Sequence, residues 1–135
     1  MPPKGSFVLD TSALLALRGD EPGADRVEAL LSQGKKNQCR LLASFMTRAE
    51  VLYIVWRKEG EEDARHALRL MDSFNVEWIS CEPNILEIAA RIKTHGRLSL
   101  ADSWIGATAI AYDATLVHKD PEFEPLKEIR QEILH

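Results

Sequence analysis

The sequence predicts an α/β protein built on a mainly parallel sheet. Short apolar runs alternate with segments of helical periodicity along all 135 residues, which is the pattern of repeated strand–helix units. The first run, Phe7-Val8-Leu9, is apolar throughout, as expected of a central strand that is covered on both faces. No internal repeat or low-complexity tract interrupts this alternation.

Strands are predicted where a short run of aliphatic, β-branched or aromatic residues lies between turn signals. The first run begins at Phe7, and the second follows a polar loop at about residues 34–38. The third run contains Trp78 and the fourth contains Val117. The strands are predicted at about residues 6–10, 40–43, 76–79 and 115–118, with residues 131–134 as an edge strand.

Helices are predicted from apolar residues spaced three or four apart and from start and stop residues. A turn at about residues 19–23 separates the first two helices. Gly60 ends the third helix, and Pro83 lies in the first turn of the fifth, where proline is tolerated. The helices are predicted at about residues 12–17, 24–32, 47–58, 62–73, 83–95 and 100–112.

Length and composition narrow the class of protein. The chain is 45% apolar and 28% charged, which predicts a single globular domain spanning residues 1–135. Its net charge of −4 disfavours a general nucleic-acid coat protein but is compatible with a nuclease whose acids bind cations. Residues 1–5 lack a signal pattern and no segment approaches the roughly 20 apolar residues of a membrane span, so a cytoplasmic protein without membrane contact is expected. Cys39 and Cys81 lack metal-site spacing and are expected as partly buried residues.

Four acidic residues lie at predicted strand ends or helix starts. Asp10 ends the first strand, and Asp120 lies just beyond the fourth. Glu50 and Asp102 lie in the first turns of the third and sixth helices. Because ligands of an open α/β sheet bind outside the carboxyl ends of its strands, all four acids can share one sheet edge. Crowded carboxylates repel unless a cation or protons compensate them, and Mg²⁺ and Mn²⁺ prefer oxygen ligands, so this pattern indicates a metal site.

Each acid also has a purely structural explanation, because acids are common at helix starts and turns. These local motifs are an N-cap at Asp10, a capping box from Thr47 to Glu50, a similar motif from Ser99 to Asp102, and a turn at Asp120-Pro121. Taken one at a time, the structural and functional explanations are both open. Only the convergence of all four acids favours the metal site.

Three segments of the sequence resemble the PIN-domain nucleases, and above all the VapC-like toxin ribonucleases of type II toxin–antitoxin systems. They are "VLDTSALLAL", "MTRAEVLY" and "LSLADSWIGATAIAYDATLVHKDPEF". Their order and spacing are similar to the family's from Phe7 to the C-terminal tail. The resemblance implies a three-layer α/β/α fold and endonucleolytic cleavage of RNA that depends on Mg²⁺ or Mn²⁺. It further implies products with a 5′-phosphate and a 3′-hydroxyl.

The resemblance also assigns site residues. Asp10, Glu50, Asp102 and Asp120 would form the catalytic, metal-binding site, with Asp10 and Asp102 as the most constant direct ligands. Glu122 matches a further acid of some family members and is ranked as accessory.

Two more accessory positions follow from the same resemblance. Ser12 matches a small hydroxyl residue that orients the site. His118 stands where many members have Thr or Ser before the fourth acid, which leaves open whether His118 or Lys119 contacts the phosphate.

Contacts with RNA are expected from basic residues near the acids. Arg91, Lys93 and Arg97 form a short basic segment that leads into the helix bearing Asp102, and Lys119 lies beside the fourth acid. Basic residues in a last helical turn also complement the helix dipole, so the structural explanation remains open for this segment. A second, weaker patch comprises Lys35, Lys36 and Arg40.

Partners are implied mainly by the resemblance. A VapC-like toxin would form a homodimer and would be inhibited by a VapB-type antitoxin whose C-terminal segment lies beside the acids. Its substrate would be a structured RNA such as transfer or ribosomal RNA.

Three alternatives compete with the toxin interpretation. The chain could be a non-catalytic PIN-like module that binds a metal or a protein partner, or a house-keeping RNA-processing PIN nuclease. A receiver-type signalling domain is disfavoured, because the third predicted strand runs into Ser80-Cys81 without the Asp that would accept a phosphoryl group.

Overall fold

A computed structural model describes residues 5–135, so the first four residues of the N-terminal segment discussed above lie outside the described part. It contains five strands in one sheet, and every strand pair is parallel. The strands are β1 (Ser6–Leu9), β2 (Arg40–Ser44), β3 (Glu77–Ile79), β4 (Thr115–His118) and β5 (Gln131–Ile133). Their order is β3-β2-β1-β4-β5, which confirms β1 as the central strand.

Six α-helices connect these strands, and a short 3-10 helix, Pro121–Phe123, follows β4. The helices are α1 (Thr11–Arg18), α2 (Ala24–Lys35), α3 (Phe45–Glu59), α4 (Glu61–Asp72), α5 (Pro83–His95) and α6 (Leu100–Ala111). Within residues 5–135, none of them is long and apolar enough to cross a membrane.

Two hydrophobic cores lie on opposite faces of the sheet. Val8 and Leu116 belong to the core beneath α5 and α6, whereas the next residues, Leu9 and Val117, belong to the core beneath α1 to α4. This alternation follows from the two-residue period of a strand. The predicted α/β/α sandwich is therefore confirmed, and the central strands are apolar on both faces because helices cover both.

Two helices extend further than the sequence predicts. Helix α2 continues to Lys35, and Gly34 inside it is buried against Leu41, where a Cβ would lie 2.7 Å from Leu41 Cδ1. Helix α3 begins at Phe45, directly after β2, with Ser44 as its N-cap. Gly34 is a loop signal in the sequence, but in the structure it allows a helix to approach a strand closely.

The C-terminal edge strand forms as predicted. The backbone N–H of Leu116 donates to Arg130 O at 2.8 Å, and that of Leu134 donates to His118 O at 2.8 Å. Both cysteines are free thiols; Cys39 is buried, as a small apolar side chain would be, whereas Cys81 is exposed.

Gly23 holds the start of α2 against the C-terminal segment. Its φ is +99°, and a Cβ there would lie 2.8 Å from Leu134 Cβ, which cannot rotate away. We expect Gly23→Ala to lower the free energy of unfolding by about 2 kcal/mol or more, from backbone strain and overpacking. Urea unfolding measures this change.

Gly19→Ala is the matched control for Gly23→Ala. Gly19 has a φ of −87°, and its added Cβ would approach Oε2 of the exposed Glu21 side chain. Its unfolding free energy should change by no more than about 0.5 kcal/mol. Equal effects of the two substitutions would refute the close contact with Leu134.

Candidate metal centre

The four predicted acids lie at or near the carboxyl edge of the sheet. Asp10 follows β1, and Asp120 lies two residues beyond β4. Glu50 lies on α3, which leaves the end of β2, and Asp102 lies in the first turn of α6. Topology therefore brings together residues that are far apart in the sequence.

Asp10 is the most buried of the four, with 3% of its surface exposed. Its Oδ2 accepts hydrogen bonds from the Ser12 backbone N–H at 3.0 Å and from the Ser12 hydroxyl. Its Oδ1 is buried and has no hydrogen-bond partner among the described residues. Burial raises the pKa of Asp10 above its usual 3.8, and the Ser12 hydrogen bonds offset this only in part.

Ser12 also connects the two central strand ends. Its Oγ accepts a hydrogen bond from the backbone N–H of Lys119 at 2.9 Å while its hydroxyl faces Asp10. Asp10 therefore does cap α1, as the structural explanation predicts, but the cap uses only one carboxylate oxygen. The other oxygen stays free to bind a ligand.

Glu50 is held by a threonine. The Thr11 hydroxyl donates to Glu50 Oε1 at 2.7 Å and lies 3.2 Å from Oγ1 of the buried Thr47. The capping box predicted from Thr47 to Glu50 is wrong, because α3 begins two residues earlier with Ser44 as its cap. Thr11 was missed as a site residue; its position directly after Asp10 was the available signal.

The pKa of Asp102 lies well above that of an ordinary aspartate. Ser99 caps α6 as predicted, with its Oγ accepting the Asp102 backbone N–H at 3.1 Å, so the Asp102 carboxylate does not serve as the cap. Partial burial and the negative charges of Asp10, Asp120 and Glu50 raise the pKa of Asp102 from 3.8 to about 7. All three predicted neighbours therefore lie close enough to act on this carboxylate.

Asp120 and Glu122 complete the cluster. The Asp120 carboxylate accepts the Glu122 backbone N–H at 3.0 Å, capping the 3-10 helix. One carboxylate oxygen each from Asp102, Asp120 and Glu122 lies within 4.8 Å of the others. Glu122, predicted as an accessory acid, is thus part of the tightest group, whereas Asp10 and Glu50 adjoin it.

This donor set fits a divalent cation. It offers only oxygen ligands, as Mg²⁺ and Mn²⁺ prefer, and the negative charges around Asp102 raise the pKa of that carboxyl. The unpartnered Oδ1 of Asp10 is a further buried acceptor without a donor. A bound cation would satisfy this oxygen and would compensate the crowded charge.

His118 does not face the site as a free side chain. It is fully buried; its Nδ1 accepts the Asp120 backbone N–H at 3.1 Å, and its Nε2 lies 2.9 Å from Gln131 Oε1. An acceptor at Nδ1 requires the proton on Nε2, so Nε2 donates to Gln131. Gln131 in turn donates to the backbone oxygens of Phe123 and Leu126, both at 2.9 Å.

The hydrogen bonds of His118 leave neither ring nitrogen free for a phosphate group. Gln131 was missed as a site residue, because its role depends on a parallel edge strand that pairs with β4. We infer that both side chains position the loop that carries Asp120 and Glu122.

The four predicted RNA-binding residues differ in their surroundings. Arg91 is paired with Glu128 through two hydrogen bonds, and Lys119 Nζ donates to Pro22 O at 2.8 Å. Lys93 and Arg97 are exposed and form no ion pair within residues 5–135. Of the weaker patch, Arg40 is engaged by Glu77.

Repulsion at Asp102 should make stability of the metal-free protein depend on pH. Since the pKa rises from 3.8 to about 7 on folding, the folded state binds an extra proton between these values, and stability falls as pH rises through this window. Asp102→Asn cannot ionise, so we expect its melting temperature to exceed that of the wild type by about 2 °C or more at pH 8. The difference should shrink towards pH 4, as measured by thermal unfolding in chelator.

Asp63→Asn is the matched control for Asp102→Asn. Asp63 also lies in the first turn of a helix, α4, but it is exposed. We expect no stabilisation at pH 8 from this change, because an acid in a first turn favours the helix. A pH-independent effect of Asp102→Asn would contradict the repulsion.

Loss of the His118 acceptor should weaken metal binding without unfolding the protein. In His118→Phe the Asp120 N–H lacks its acceptor, so we expect Mn²⁺ affinity to fall about tenfold, as for other residues that orient metal ligands. His118→Asn retains an oxygen acceptor and should restore most of the affinity. Isothermal titration calorimetry with Mn²⁺ measures both, and unaltered affinity in His118→Phe would refute the positioning role.

A family model described as the PIN domain matches residues 7–129. Comparison with curated protein sequences gives no match.

Solved structures with the same fold include two VapBC complexes and one VapC protein. VapBC2 of Rickettsia felis, bound to promoter DNA, is 20% identical with a TM-score of 0.79, and the alignment covers 96% of this chain and 99% of that chain. VapBC-1 of Haemophilus influenzae is 24% identical with a TM-score of 0.73, covering 95% and 97%. The sarcin–ricin loop cleaving toxin VapC20 of Mycobacterium tuberculosis is 16% identical with a TM-score of 0.71, covering 89% and 94%.

At these identities the solved structures establish the fold. The family itself follows from the family model, which spans most of the chain. The chain belongs to the PIN domain family.

Proposed function

We propose that this protein is a metal-dependent endoribonuclease and the toxin of a VapBC-type toxin–antitoxin pair. It would hydrolyse RNA phosphodiester bonds with Mg²⁺ or Mn²⁺. The observation that carries the proposal is the convergence of Asp102, Asp120 and Glu122 beside Asp10, whose buried Oδ1 has no partner among the described residues. A protein that used these acids only as helix caps would have no need to crowd them.

The five acids would contribute to cation binding in different ways. Asp102, Asp120 and Glu122 offer the closest group of ligand oxygens, and Asp10 offers its free Oδ1. Glu50, oriented by Thr11, adds negative charge from the adjoining helix. When bound, the cation would supply Lewis-acid activation of water and stabilise the charge that develops on the phosphate.

Other residues would keep this group rigid. Ser12 holds Asp10 through its N–H and hydroxyl and accepts the Lys119 N–H, and His118 fixes the backbone at Asp120. Precise placement of metal ligands matters because residues that orient them commonly change affinity by about ten- to a hundredfold.

Fold similarity supports the toxin role and the choice of partner. Among the matched structures are VapBC complexes, and VapC20 is described as a toxin that cleaves the sarcin–ricin loop, which supports a structured RNA as substrate. We therefore propose a VapB-type antitoxin as partner and the cytoplasm as the place of action.

Two apolar surfaces support the proposal that this protein binds protein partners. A groove of about 220 Å³ between α1 and α4, lined by Leu14, Leu70 and Met71, suits an apolar antitoxin segment. Tyr53 and Trp56 on α3 are 45% and 41% exposed, which supports a homodimer through this helix.

Cleavage of total cellular RNA by purified protein tests the proposed activity. We expect discrete fragments with 5′-phosphate ends in Mg²⁺ or Mn²⁺ and none in chelator. Asp10→Asn and Asp102→Asn should each reduce the rate by about a hundredfold or more, as the loss of a group that stabilises developing charge does. Mapping the fragment ends identifies the RNA.

Glu87→Gln provides the control for these two variants. Glu87 is an exposed acid on α5 that is outside the acidic cluster, and its substitution should leave the rate unchanged. Cleavage that survives in Asp10→Asn, or that ignores chelator, would rule out this site as the source of activity. A clean, metal-loaded protein that cuts no RNA would favour a non-catalytic binding module instead.

A further inference from the structure

A cavity of about 630 Å³ opens beside the acidic cluster. It lies between the C-terminal end of α5 and the segment that follows the 3-10 helix, and Glu122 lines one end of it. The volume is within the range of about 300–1,000 Å³ typical of small-ligand sites. Glu122 is the residue that this cavity shares with the acidic cluster.

Apolar side chains form the floor of the cavity. Ile92 and Leu98 are buried, and Leu126 is half-buried. Gly96 also lines the cavity and contributes no side chain that would narrow it. The floor can therefore accept a flat, weakly polar group but offers no side-chain hydrogen bonds to a charged one.

The rim of the cavity carries Arg91, Arg97 and Lys127 as well as the acids Glu122 and Glu128. Arg97 and Lys127 line it, are exposed, and form no ion pair within residues 5–135. Arg91 also lines it, and Glu128 holds its guanidinium at 2.7 and 2.9 Å. Two cations without partners beside an apolar floor complement a ligand that joins an anionic group to a flat apolar one.

A nucleotide has this combination of chemical groups. Unstacked bases bind apolar or planar protein surfaces, while the backbone phosphates bind Arg and Lys. Glu122 belongs both to the cavity and to the acidic cluster. When an RNA strand binds with one phosphate at the acids, its adjacent nucleotide therefore lies at the mouth of the cavity.

We propose that this cavity binds the base of an unpaired nucleotide next to the cleaved phosphate, with Arg97 and Lys127 contacting the flanking phosphates. The inference rests on the proposed function and deepens it. The substrate must then present an unstacked nucleotide at the cut, as a loop or bulge does. A continuous duplex could not fill the cavity.

Binding of small nucleotides to ¹⁵N-labelled protein tests this proposal directly by NMR. The probes are the four nucleoside 5′-monophosphates, with ribose 5-phosphate as the control that lacks a base, all in chelator. We expect saturable shifts of the Gly96, Leu98 and Leu126 amides, and binding of ribose 5-phosphate that is about tenfold weaker than that of the preferred nucleotide.

Charge variants distinguish nucleotide binding in the cavity from non-specific electrostatic attraction between the protein and the phosphate. Arg97→Ala and Lys127→Ala should each weaken nucleotide binding about fivefold. Lys36→Ala should not change it, because Lys36 precedes β2 and lies at the opposite edge of the parallel sheet.

Three results would overturn the proposal. Equal binding of ribose 5-phosphate would show a phosphate site without a base pocket. Unshifted amides at Gly96, Leu98 and Leu126 would show that the cavity binds no nucleotide. Tighter binding of an acidic, leucine-containing hexapeptide at the same amides would show a peptide groove instead.

The two experiments distinguish failure of the cavity proposal from failure of the proposal that the protein is a nuclease. Metal-dependent RNA cleavage without nucleotide shifts would refute the cavity proposal alone. Nucleotide shifts in a protein that cuts no RNA would support the cavity and refute the catalytic proposal.

Discussion

Repulsion among crowded carboxylates is the constraint on which the arrangement of this sheet edge depends. Asp10 and Asp102 are both less acidic than ordinary aspartates, because burial and neighbouring negative charge disfavour ionisation. A fold dominated by its own stability would separate such groups. That this one brings them together supports the proposal that a bound cation completes the edge.

Those supporting bonds come from residues beside the acids in sequence or space. Ser12 holds Asp10, Thr11 holds Glu50, and His118 holds the backbone of Asp120. Capping and metal binding are often treated as competing explanations of an acid at a helix start. Here Asp10 caps α1 with one oxygen and leaves the other free, so capping does not prevent the same side chain from binding a metal.

Much of the fold was predictable from sequence because its signals are local. Runs such as Phe7-Val8-Leu9 identified the strands, and the position of β1 followed from its apolar character on both faces. The start of α3 was not predictable in the same way, since Ser44 and Thr47 are both acceptable caps, and in the structure Ser44 accepts the Met46 backbone N–H.

The candidate site, like the fold, was predictable from the sequence only in part. The acids were recognisable from their places at element ends, but the closeness of Glu122 to Asp102 depends on how the loop after β4 folds back. The role of Gln131 depends on a strand pair formed late in the chain, which no local pattern encodes. Side chains that act through another residue leave little trace in a single sequence.

The dependence of the acidic cluster on β5 has a consequence for synthesis of the protein. Chains are synthesised from the N-terminus, so Asp10, Glu50 and Asp102 are made before the last strand. The Ser12–Lys119 bond joins residues 107 positions apart, and the His118–Gln131 contact needs β5 in place. The contact that supports His118 from β5 can therefore form only after Gln131 has been made. During synthesis, the segment that carries Asp120 and Glu122 is thus fixed later than the segments that carry the other three acids.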